Sequence, residues 1–163
     1  GDRRDEEESH ARVVADAEEA VADLSDRSDA PYPVDSPPRT AMPDPTLLEY
    51  FDSPSDEPFL IEHVNEEFTS VCPKTGHPDF GSITVRYEPM AVCVELKSLK
   101  LYCQSFRNEG IFYEAVTNRI RDDLQQGMSP RWLQVVTDWK GRGGIRSRIV
   151  ATAGEVPSEW RRG

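Results

Sequence analysis

The residues best suited to covalent chemistry lie in one short stretch of the sequence, from Cys72 to Asp79. A cysteine attacks as the thiolate, which nearby cations, backbone N–H groups and partial exposure to solvent all favour. Lys74 lies two residues after the cysteine, and a stretch rich in proline and glycine can present its backbone amides. Asp79 can face the thiol across the same turn, where a partly desolvated carboxyl holds or passes a proton. The spacing alone also fits a buried, unreactive thiol beside an aspartate that caps a turn.

A second candidate site is the segment ELKSLKLY, which begins at Glu95. Lys97 and Lys100, with Ser98 between them, carry donors that suit phosphate groups, and Arg107 follows nearby. A glutamate at the end of a strand can accept two N–H bonds from a guanine-like base edge. The alternative is a strand end followed by a solvated basic turn.

Two further segments carry groups that could contact a base or a nucleotide. Phe112, Tyr113 and Glu114 begin a predicted helix, so the carboxylate could accept N–H bonds from a base while an aromatic ring stacks on it. An acidic residue is also ordinary at a helix N-terminus. The glycine-rich segment 141–144 contains Arg142, which could contact a phosphate, but it lacks GxGxxG spacing and precedes a strand. A tight hairpin turn is therefore the default interpretation of that segment.

Hydrophobic patterning predicts the elements that must position these residues. Alternation of apolar and polar residues predicts five strands, at Phe59–Val64, Ser82–Tyr87, Ala91–Leu96, Trp132–Trp139 and Ile145–Ala151. Apolar residues that recur every four positions over residues 112–124 predict an amphipathic helix that ends near Gly127. The pattern leaves residues 98–109 undecided and predicts loops over residues 65–80 and 140–144. This order of elements indicates an α+β fold with an antiparallel sheet and helices on one face.

The charge is divided unevenly along the 163 residues. Residues 1–58 hold 17 Asp and Glu against 5 Lys and Arg, whereas residues 59–163 are nearly neutral with 13 against 14. Eight of the 13 prolines fall between positions 31 and 58. A segment so charged and so rich in proline has too little apolar surface to offset the entropy of ordering it. We therefore predict an acidic, disordered tail and linker over residues 1–45 and a single domain over residues 46–163.

Composition and motifs argue against several classes of protein. The formal net charge of −11 disfavours direct binding to nucleic acid, which depends on lysine and arginine at the phosphates. Apolar stretches are far shorter than the roughly 20 residues that span a bilayer, and no signal-peptide pattern opens the chain. Three cysteines without CxxC spacing predict free thiols in the cytoplasm and no zinc site. P-loop, HExxH and GxSxG motifs are absent from the sequence.

Four segments taken together resemble the 7-cyano-7-deazaguanine reductases of the queuosine pathway, known as the QueF family. They are FTSVCPKTGHPDF at 68–80, ELKSLKLY at 95–102, SFRNEGIFYE at 105–114 and GRGG at 141–144. The resemblance is to the short, single-module branch and extends in order over about residues 46–152. It implies the tunnelling fold of GTP cyclohydrolase I, in which several subunits join their sheets into a barrel with active sites at the interfaces. The implied partners are further copies of this chain and a small-molecule 7-deazaguanine substrate.

The resemblance also implies a reaction and a role for individual residues. Cys72 would add to the nitrile carbon of 7-cyano-7-deazaguanine as a thioimide, with Asp79 as the proton donor, and two hydrides from NADPH would yield 7-aminomethyl-7-deazaguanine. The implied substrate-binding residues are Val94, Glu95, Leu96, Tyr113 and Glu114, and the implied NADPH-binding residues are Lys97, Ser98, Lys100, Arg142 and Gly143. Many short-branch members carry His where this chain has Tyr113, so an acid–base role at that position is not carried over.

Two other functions are compatible with parts of the sequence. Relatives that transfer nitrogen to the same thioimide in archaeal tRNA modification resemble this chain at the cysteine loop but lack a block like ELKSLKLY. A purine- or pterin-binding module without enzymatic activity, whose acidic arm recruits a partner, would need no reactive thiol. An intact mass that the nitrile substrate leaves unchanged would favour the binding module.

Overall fold

The computed structural model describes residues 43–161, so the tail predicted over residues 1–45 lies almost wholly outside them. Within this range the chain forms six strands and two α-helices. They are β1 Tyr50–Asp52, β2 Ile61–Val71, β3 Pro78–Glu88, β4 Val92–Val94, α1 Leu96–Ser105, α2 Tyr113–Met128, β5 Trp132–Arg142 and β6 Ile145–Gly154. Short 3-10 turns lie at Pro45–Leu47 and Ser158–Trp160. No helix in this part of the chain is both long and apolar enough to cross a membrane.

Strands β2, β3, β5 and β6 form one antiparallel sheet in that order, and β1 pairs with β4 in a separate antiparallel ribbon. Alternate residues of β3, among them Ile83, Val85 and Tyr87, are buried in a core that also contains Leu99 of α1 and Ile120 of α2. Burial of every second residue is what a sheet covered by helices on one face requires. The predicted α+β fold with an antiparallel sheet is confirmed.

Strands β2 and β3 are longer than predicted, and the loop between them is correspondingly shorter. The prediction of a loop over residues 65–80 is wrong at both ends, because both strands extend into it. A register shift between Asn65 and Phe68 breaks the alternation that marks a strand and so hides the second half of β2. Proline is tolerated as the first residue of β3 because no ladder N–H is needed there. The hairpin therefore places Cys72 directly after one strand and Asp79 inside the next.

The strand predicted over Ala91–Leu96 ends early because Glu95 begins helix α1. The Glu95 carboxylate accepts hydrogen bonds from the backbone N–H groups of Lys97 at 2.9 Å and of Ser98 at 2.7 Å. It is the N-cap of α1, and β4 keeps only three residues. Glutamate is not among the residues typical of an N-cap, so this helix start carries no ordinary sequence signal.

Two predictions that rested on glycine are wrong in detail. Helix α2 runs past Gly127 and is capped by Ser129, which adopts a left-handed conformation with φ 46°. A Cβ at Gly127 would overlap the phenol of Tyr50, so this glycine allows β1 to approach α2. The turn predicted over residues 140–144 is confined to residues 143–144, both with positive φ, because β5 continues through the earlier positions.

Candidate active site

A pocket of about 290 Å³ lies at one end of the four-stranded sheet, and we term it the Cys72 pocket. Its walls come from the β2–β3 loop, the start of α2 and the β5–β6 hairpin. The residues with reactive or polar side chains that line it are Cys72, Asp79, Tyr113, Glu114, Lys140, Arg142 and Ser147. The β2–β3 hairpin thus places the two predicted catalytic residues in one cavity, and segments distant in sequence complete its walls.

The loop that carries Cys72 closes on itself through backbone hydrogen bonds. The Cys72 N–H donates to the carbonyl of His77 at 2.8 Å, and the Gly76 N–H donates to the carbonyl of Cys72 at 2.9 Å. Gly76 has φ 69°, a conformation that glycine adopts without strain. A hydrogen bond with the Thr75 side chain lowers the pKa of the Cys72 thiol, and two backbone N–H groups of the loop add to this effect. Burial and the charge of Asp79 oppose the shift, but the net direction favours the reactive thiolate.

The segment that precedes α2 is joined to the end of β2. The Val71 N–H donates to the carbonyl of Glu109 at 2.9 Å, and the Ile111 N–H donates to the carbonyl of Val71 at 3.1 Å. These bonds form an isolated parallel β-bridge, which we term the β2–α2 bridge. Because Cys72 directly follows Val71 and α2 begins at Tyr113, the bridge brings the thiol and the helix start to the same pocket.

Asp79 is buried in the Cys72 pocket, with 2% of its surface exposed, and its Oδ1 atom has two partners. The Tyr113 hydroxyl donates to Oδ1 at 2.7 Å, and Arg142 Nη2 lies 2.8 Å from the same oxygen. Arg142 Nη2 also donates to the carbonyl of Pro78 at 2.5 Å. Burial and the hydrogen bond to Asp79 raise the pKa of Tyr113 to about 12, so the phenol keeps its proton at neutral pH. The carboxyl is therefore held in one orientation by two donors.

Sequence reasoning did not select Trp139, which lies against the ring of Tyr113. The two rings are stacked, with centroids 3.9 Å apart and an interplanar angle of 9°. Gly81 pairs with Trp139 across β3 and β5, and a Cβ at Gly81 would come within 2.6 Å of the Asp138 carbonyl oxygen and 3.2 Å of the indole. A glycine within a strand often marks such a close approach, so Gly81 was the available sequence signal.

A larger cavity of about 840 Å³ lies between α1 and the β2–β3 hairpin, and we term it the lysine cleft. Lys97, Lys100 and Arg107 place three cations around it, and its apolar lining includes Ile83 and Val85. Among residues 43–161 none of these three cations has an ion-pair partner. Cations available in this way suit the phosphate groups of a nucleotide.

Glu95 and Ser98 fix the start of α1 at the edge of the lysine cleft. The N–H groups of Lys97 and Ser98 lower the pKa of the Glu95 carboxyl, which is therefore ionised at neutral pH. The Ser98 hydroxyl is buried, donates to the Glu95 carbonyl at 2.7 Å and accepts the N–H of Glu49 at 3.0 Å. Its side chain thus serves the fold, whereas Glu95 faces the cleft.

The predicted substrate- and cofactor-binding residues fall into two separate regions of the chain. Tyr113, Glu114 and Arg142 line the Cys72 pocket, whereas Glu95, Leu96, Lys97 and Lys100 line the lysine cleft. Val94 and Ser98 are buried beside the cleft, and Gly143 lies in the β5–β6 turn. The two cavities share no lining residue, and along β3 the six steps from Asp79 to Val85 span about 20 Å.

The fold and the two cavities together define a class of protein. An antiparallel α+β scaffold presents a thiol of lowered pKa and a buried carboxyl to one pocket, and a second cleft is lined by three cations and three carboxylates. Among the described residues no group of three or more His, Cys, Asp or Glu side chains could hold a metal ion. A thiol and a carboxyl in one pocket are groups that enzymes of the class forming a covalent cysteine adduct use to capture a substrate and transfer a proton to it.

Comparisons with known proteins identify the family. A family model described as QueF-like protein matches residues 78–158. The chain is 60% identical over 107 residues to the NADPH-dependent 7-cyano-7-deazaguanine reductase of Chlorobium phaeovibrioides. This match covers 65% of this chain and 92% of that protein. The chain is 58% identical over 106 residues to the protein of the same name from Rhodopirellula baltica, which covers 64% and 88%. The chain therefore belongs to the QueF family, and the predicted resemblance is confirmed.

A solved structure shares the fold. The crystal structure of the archaeosine synthase QueF-Like in the apo form matches with a TM-score of 0.57 and 23% identity, covering 62% of this chain and 99% of that chain. At this identity the match concerns the fold alone, and it confirms the predicted tunnelling fold of the single chain. Assembly of several chains into a barrel stays a prediction.

Proposed function

We propose that this chain reduces the nitrile of 7-cyano-7-deazaguanine to the aminomethyl group of 7-aminomethyl-7-deazaguanine, with NADPH as the hydride donor, in queuosine biosynthesis. The observation that carries the proposal is the identity of 58–60% to reductases of that name over 88–92% of their length. The Cys72 pocket supports it, because the pocket contains both a thiol and a carboxyl that the reduction of a nitrile can use.

Cys72 captures the substrate in the first step. Its thiolate donates an electron pair to the nitrile carbon, a C–S bond forms, and one π pair of the C–N bond moves onto nitrogen. Asp79 delivers a proton to that nitrogen, which yields a neutral thioimide. A nitrile accepts hydride poorly, whereas the carbon of the thioimide is more electrophilic, so capture followed by protonation of the nitrogen lowers the barrier.

The later steps return the thiol to its starting state. Two NADPH molecules, bound one after the other, would supply one hydride each, so that the thioimide carbon receives two hydrides in two separate reductions. Between the two reductions the C–S bond breaks and its electron pair returns to the sulfur of Cys72. Capture and the first reduction each place one proton on nitrogen, so Asp79 must regain a proton from solvent between these two steps. Departure of the thiolate leaves an iminium, which the second hydride converts to the amine without a further proton.

The lysine cleft fits the phosphate groups of NADPH. Lys97, Lys100 and Arg107 are exposed cations around one cavity, and their donors match phosphate oxygens. Ser98 contributes by fixing the start of α1 through its buried hydroxyl. Arg142 bonds Asp79 in the other cavity, so its contact with NADPH, like that of the neighbouring Gly143, stays a prediction.

A complete active site requires two copies of the chain in this proposal. Glu95 and Glu114, the two acceptors proposed for the deazaguanine N–H groups, lie in different cavities of one chain. Strands β2 and β6 are the outer strands of the sheet, with 11 and 10 residues, and each pairs on one side within the described range. Pairing of β2 with β6 of another copy would continue the sheet and bring the lysine cleft of one chain towards the Cys72 pocket of the next.

Mixing two impaired variants at an NADPH concentration that saturates only the wild type tests the shared site. Cys72→Ala chains lack the nucleophile, and chains with both Lys97→Ala and Lys100→Ala lack two of the three cofactor cations. Dissociating the two, mixing them and reassembling them creates interfaces that combine both intact halves. NADPH oxidation above the sum of the separate variants is the expected result. Activity that never exceeds that sum would contradict a site shared between subunits.

The organisation of the whole chain belongs to the same proposal. We assign residues 46–163 to one catalytic domain and residues 1–45 to an acidic tail, whose composition is typical of segments without a packed core. We also assign the enzyme to the cytoplasm. Three free thiols, at Cys72, Cys93 and Cys103, are consistent with a reducing compartment.

The direct test follows NADPH absorbance with purified protein and 7-cyano-7-deazaguanine. We expect substrate-dependent loss of absorbance and an intact mass increased by one substrate when NADPH is left out. No loss of absorbance would contradict reductase activity. An unchanged mass as well would favour a non-enzymatic binding module, and transfer of nitrogen without NADPH consumption would favour the second enzymatic alternative.

A further inference from the structure

We propose that Tyr113 positions the Asp79 carboxyl for proton transfer, and that a buried chain of hydrogen bonds through Thr117, Thr137 and Trp139 holds Tyr113 in place. We term this set the Thr–Trp network. The proposal rests on the proposed function, because it concerns the proton that Asp79 gives to the substrate nitrogen. It assigns a role to a tyrosine at a position where titration near neutral pH cannot operate.

The two oxygens of the Asp79 carboxyl differ in their hydrogen bonds. Tyr113 and Arg142 both bond Oδ1, and neither of these contacts uses Oδ2. A carboxyl that is protonated on Oδ2 still accepts a hydrogen bond at Oδ1, so the Tyr113 bond persists in both protonation states. Oδ2 is therefore the oxygen that can carry the transferred proton while Tyr113 fixes the plane of the carboxyl.

The donor and the acceptor can be assigned for every hydrogen bond of the Thr–Trp network. Thr117 Oγ1 donates to the carbonyl of Tyr113 at 2.9 Å, which uses its single proton. The 2.7 Å contact between Thr117 and Thr137 must then have the Thr137 hydroxyl as donor. Thr137 Oγ1 in turn accepts the indole N–H of Trp139 at 2.9 Å. Every hydroxyl proton is thus assigned, and Trp139 closes the circle by stacking on the Tyr113 ring.

Burial makes this arrangement rigid. Thr117 and Thr137 are fully buried and Trp139 is 1% exposed, so water does not compete for these hydrogen bonds. The stack fixes the plane of the Tyr113 ring, and the bond from Thr117 fixes its backbone. The phenol hydroxyl is therefore held in one position relative to Asp79. A group that orients a proton donor must itself be fixed in this way.

The charges of three ionisable groups shift the pKa of the Tyr113 hydroxyl. They are Asp79, Arg142 and Cys72, of which the carboxylate and the thiol raise the pKa of the phenol and the guanidinium lowers it. The balance, together with burial, keeps the phenol protonated throughout the range in which an enzyme is assayed. Tyr113 is therefore a permanent donor, and the reaction should gain no pH step from it.

The decisive variant is Tyr113→Phe, which keeps the stacked ring and deletes the hydroxyl. We expect the rate at which Cys72 forms its adduct with 7-cyano-7-deazaguanine, measured by intact mass without NADPH, to fall at least about tenfold. Alkylation of Cys72 by iodoacetamide and the melting temperature should stay as in the wild type, which a collapse of the loop would not allow. Tyr50→Phe is the matched control, because it deletes a phenol hydroxyl on β1 outside both cavities.

Three further variants separate positioning from general stability. Tyr113→His restores a donor, so adduct formation should recover in part and acquire a pH-dependent step near the ordinary histidine pKa of about 6.5. Thr117→Val should slow adduct formation, and Thr117→Ser should restore it, because serine keeps the donor to the Tyr113 carbonyl.

The outcomes distinguish this proposal from the function on which it rests. A wild-type protein that forms no adduct would contradict the proposed function and this inference together. A wild-type protein that forms the adduct, with Tyr113→Phe reacting at the same rate, would overturn the positioning role alone. A folded Tyr113→His variant with no recovery and no new pH step would do the same.

Discussion

The Cys72 pocket and the lysine cleft differ in how their polar groups are satisfied. In the Cys72 pocket, of about 290 Å³, Asp79 is buried and bonded to Tyr113 and Arg142. In the lysine cleft, of about 840 Å³, Lys97 and Lys100 are exposed and have no ion-pair partner among the described residues. The charged groups of the Cys72 pocket are thus held in place before a ligand binds, whereas the lysines of the lysine cleft are available to a ligand.

This difference matches the roles that the proposed function assigns to the two regions. Proton transfer and covalent attack need groups held within narrow limits of distance and angle, which buried hydrogen bonds provide. Binding a cofactor that must leave after every hydride transfer needs cations that are accessible from solvent. We therefore expect changes in the first region to lower turnover and changes in the second to weaken cofactor binding.

The largest effect should come from Cys72→Ala. Without the thiolate no thioimide can form, so turnover should fall by about 10⁴-fold or more, while NADPH affinity stays within twofold. Steady-state NADPH oxidation and fluorescence titration of NADPH measure the two quantities separately. If this variant lost turnover and NADPH affinity together, the proposed division of roles between the two regions would be contradicted.

Asp79→Asn should have the next largest effect. The amide keeps the size of the carboxyl but donates no acidic proton, so turnover should fall by about 10²- to 10⁴-fold with some substrate binding retained. The matched control is Asp138→Asn on β5, which removes a carboxylate outside both cavities. Equal losses in the two variants would indicate a general charge effect instead of proton donation.

Lys97→Ala and Lys100→Ala should alter cofactor binding in the lysine cleft. Each removes a cation from the lysine cleft, so the KM for NADPH should rise about tenfold. Formation of the Cys72 adduct without NADPH should not change, and added salt should weaken NADPH binding by the wild type more than by the variants. Arg146→Ala, on β6 and outside both cavities, is the control. Slower adduct formation in the lysine variants would show that the lysine cleft also acts on the step at Cys72.

The smallest effect should come from Thr75→Val. The Thr75 side chain is the main cause of the lowered pKa of Cys72, so its loss should raise that pKa. Below the pKa the alkylation rate follows the thiolate fraction, and the pH curve should therefore move to higher pH with a few-fold slower reaction at pH 7. Thr75→Ser keeps the hydroxyl and should leave the curve in place; a shift there would point to the loop backbone.

Patterning predicted most of the sheet and the longer helix but not their ends. Strand β3 and helix α2 follow regular alternation and regular four-residue spacing, which sequence alone reveals. The end of β2 was hidden by the register shift after Asn65, and the start of α1 by a glutamate N-cap. Both depend on local hydrogen bonds that a periodic pattern does not encode.

The content of the candidate site was less evident than its position. The proximity of Cys72 and Asp79 follows from a short loop, and the structure places both in one pocket. The contact between Arg142 and Asp79 joins residues on different strands, and the stack of Trp139 on Tyr113 joins a strand to a helix. The first contact depends on the register of β3 against β5, and the second depends on how α2 packs on β5. Hydrophobic alternation determines neither of them uniquely.

The β2–α2 bridge has a consequence for motion. It holds the thiol next to the start of α2 through two amide–carbonyl bonds, those of the Val71 and Ile111 amides. Opening of this small unit would part Cys72 from Tyr113 without unfolding the sheet or the helix, which is the behaviour of a local, low-energy fluctuation. Hydrogen exchange at these two amides therefore reports how often the candidate active site opens while the rest of the fold stays intact.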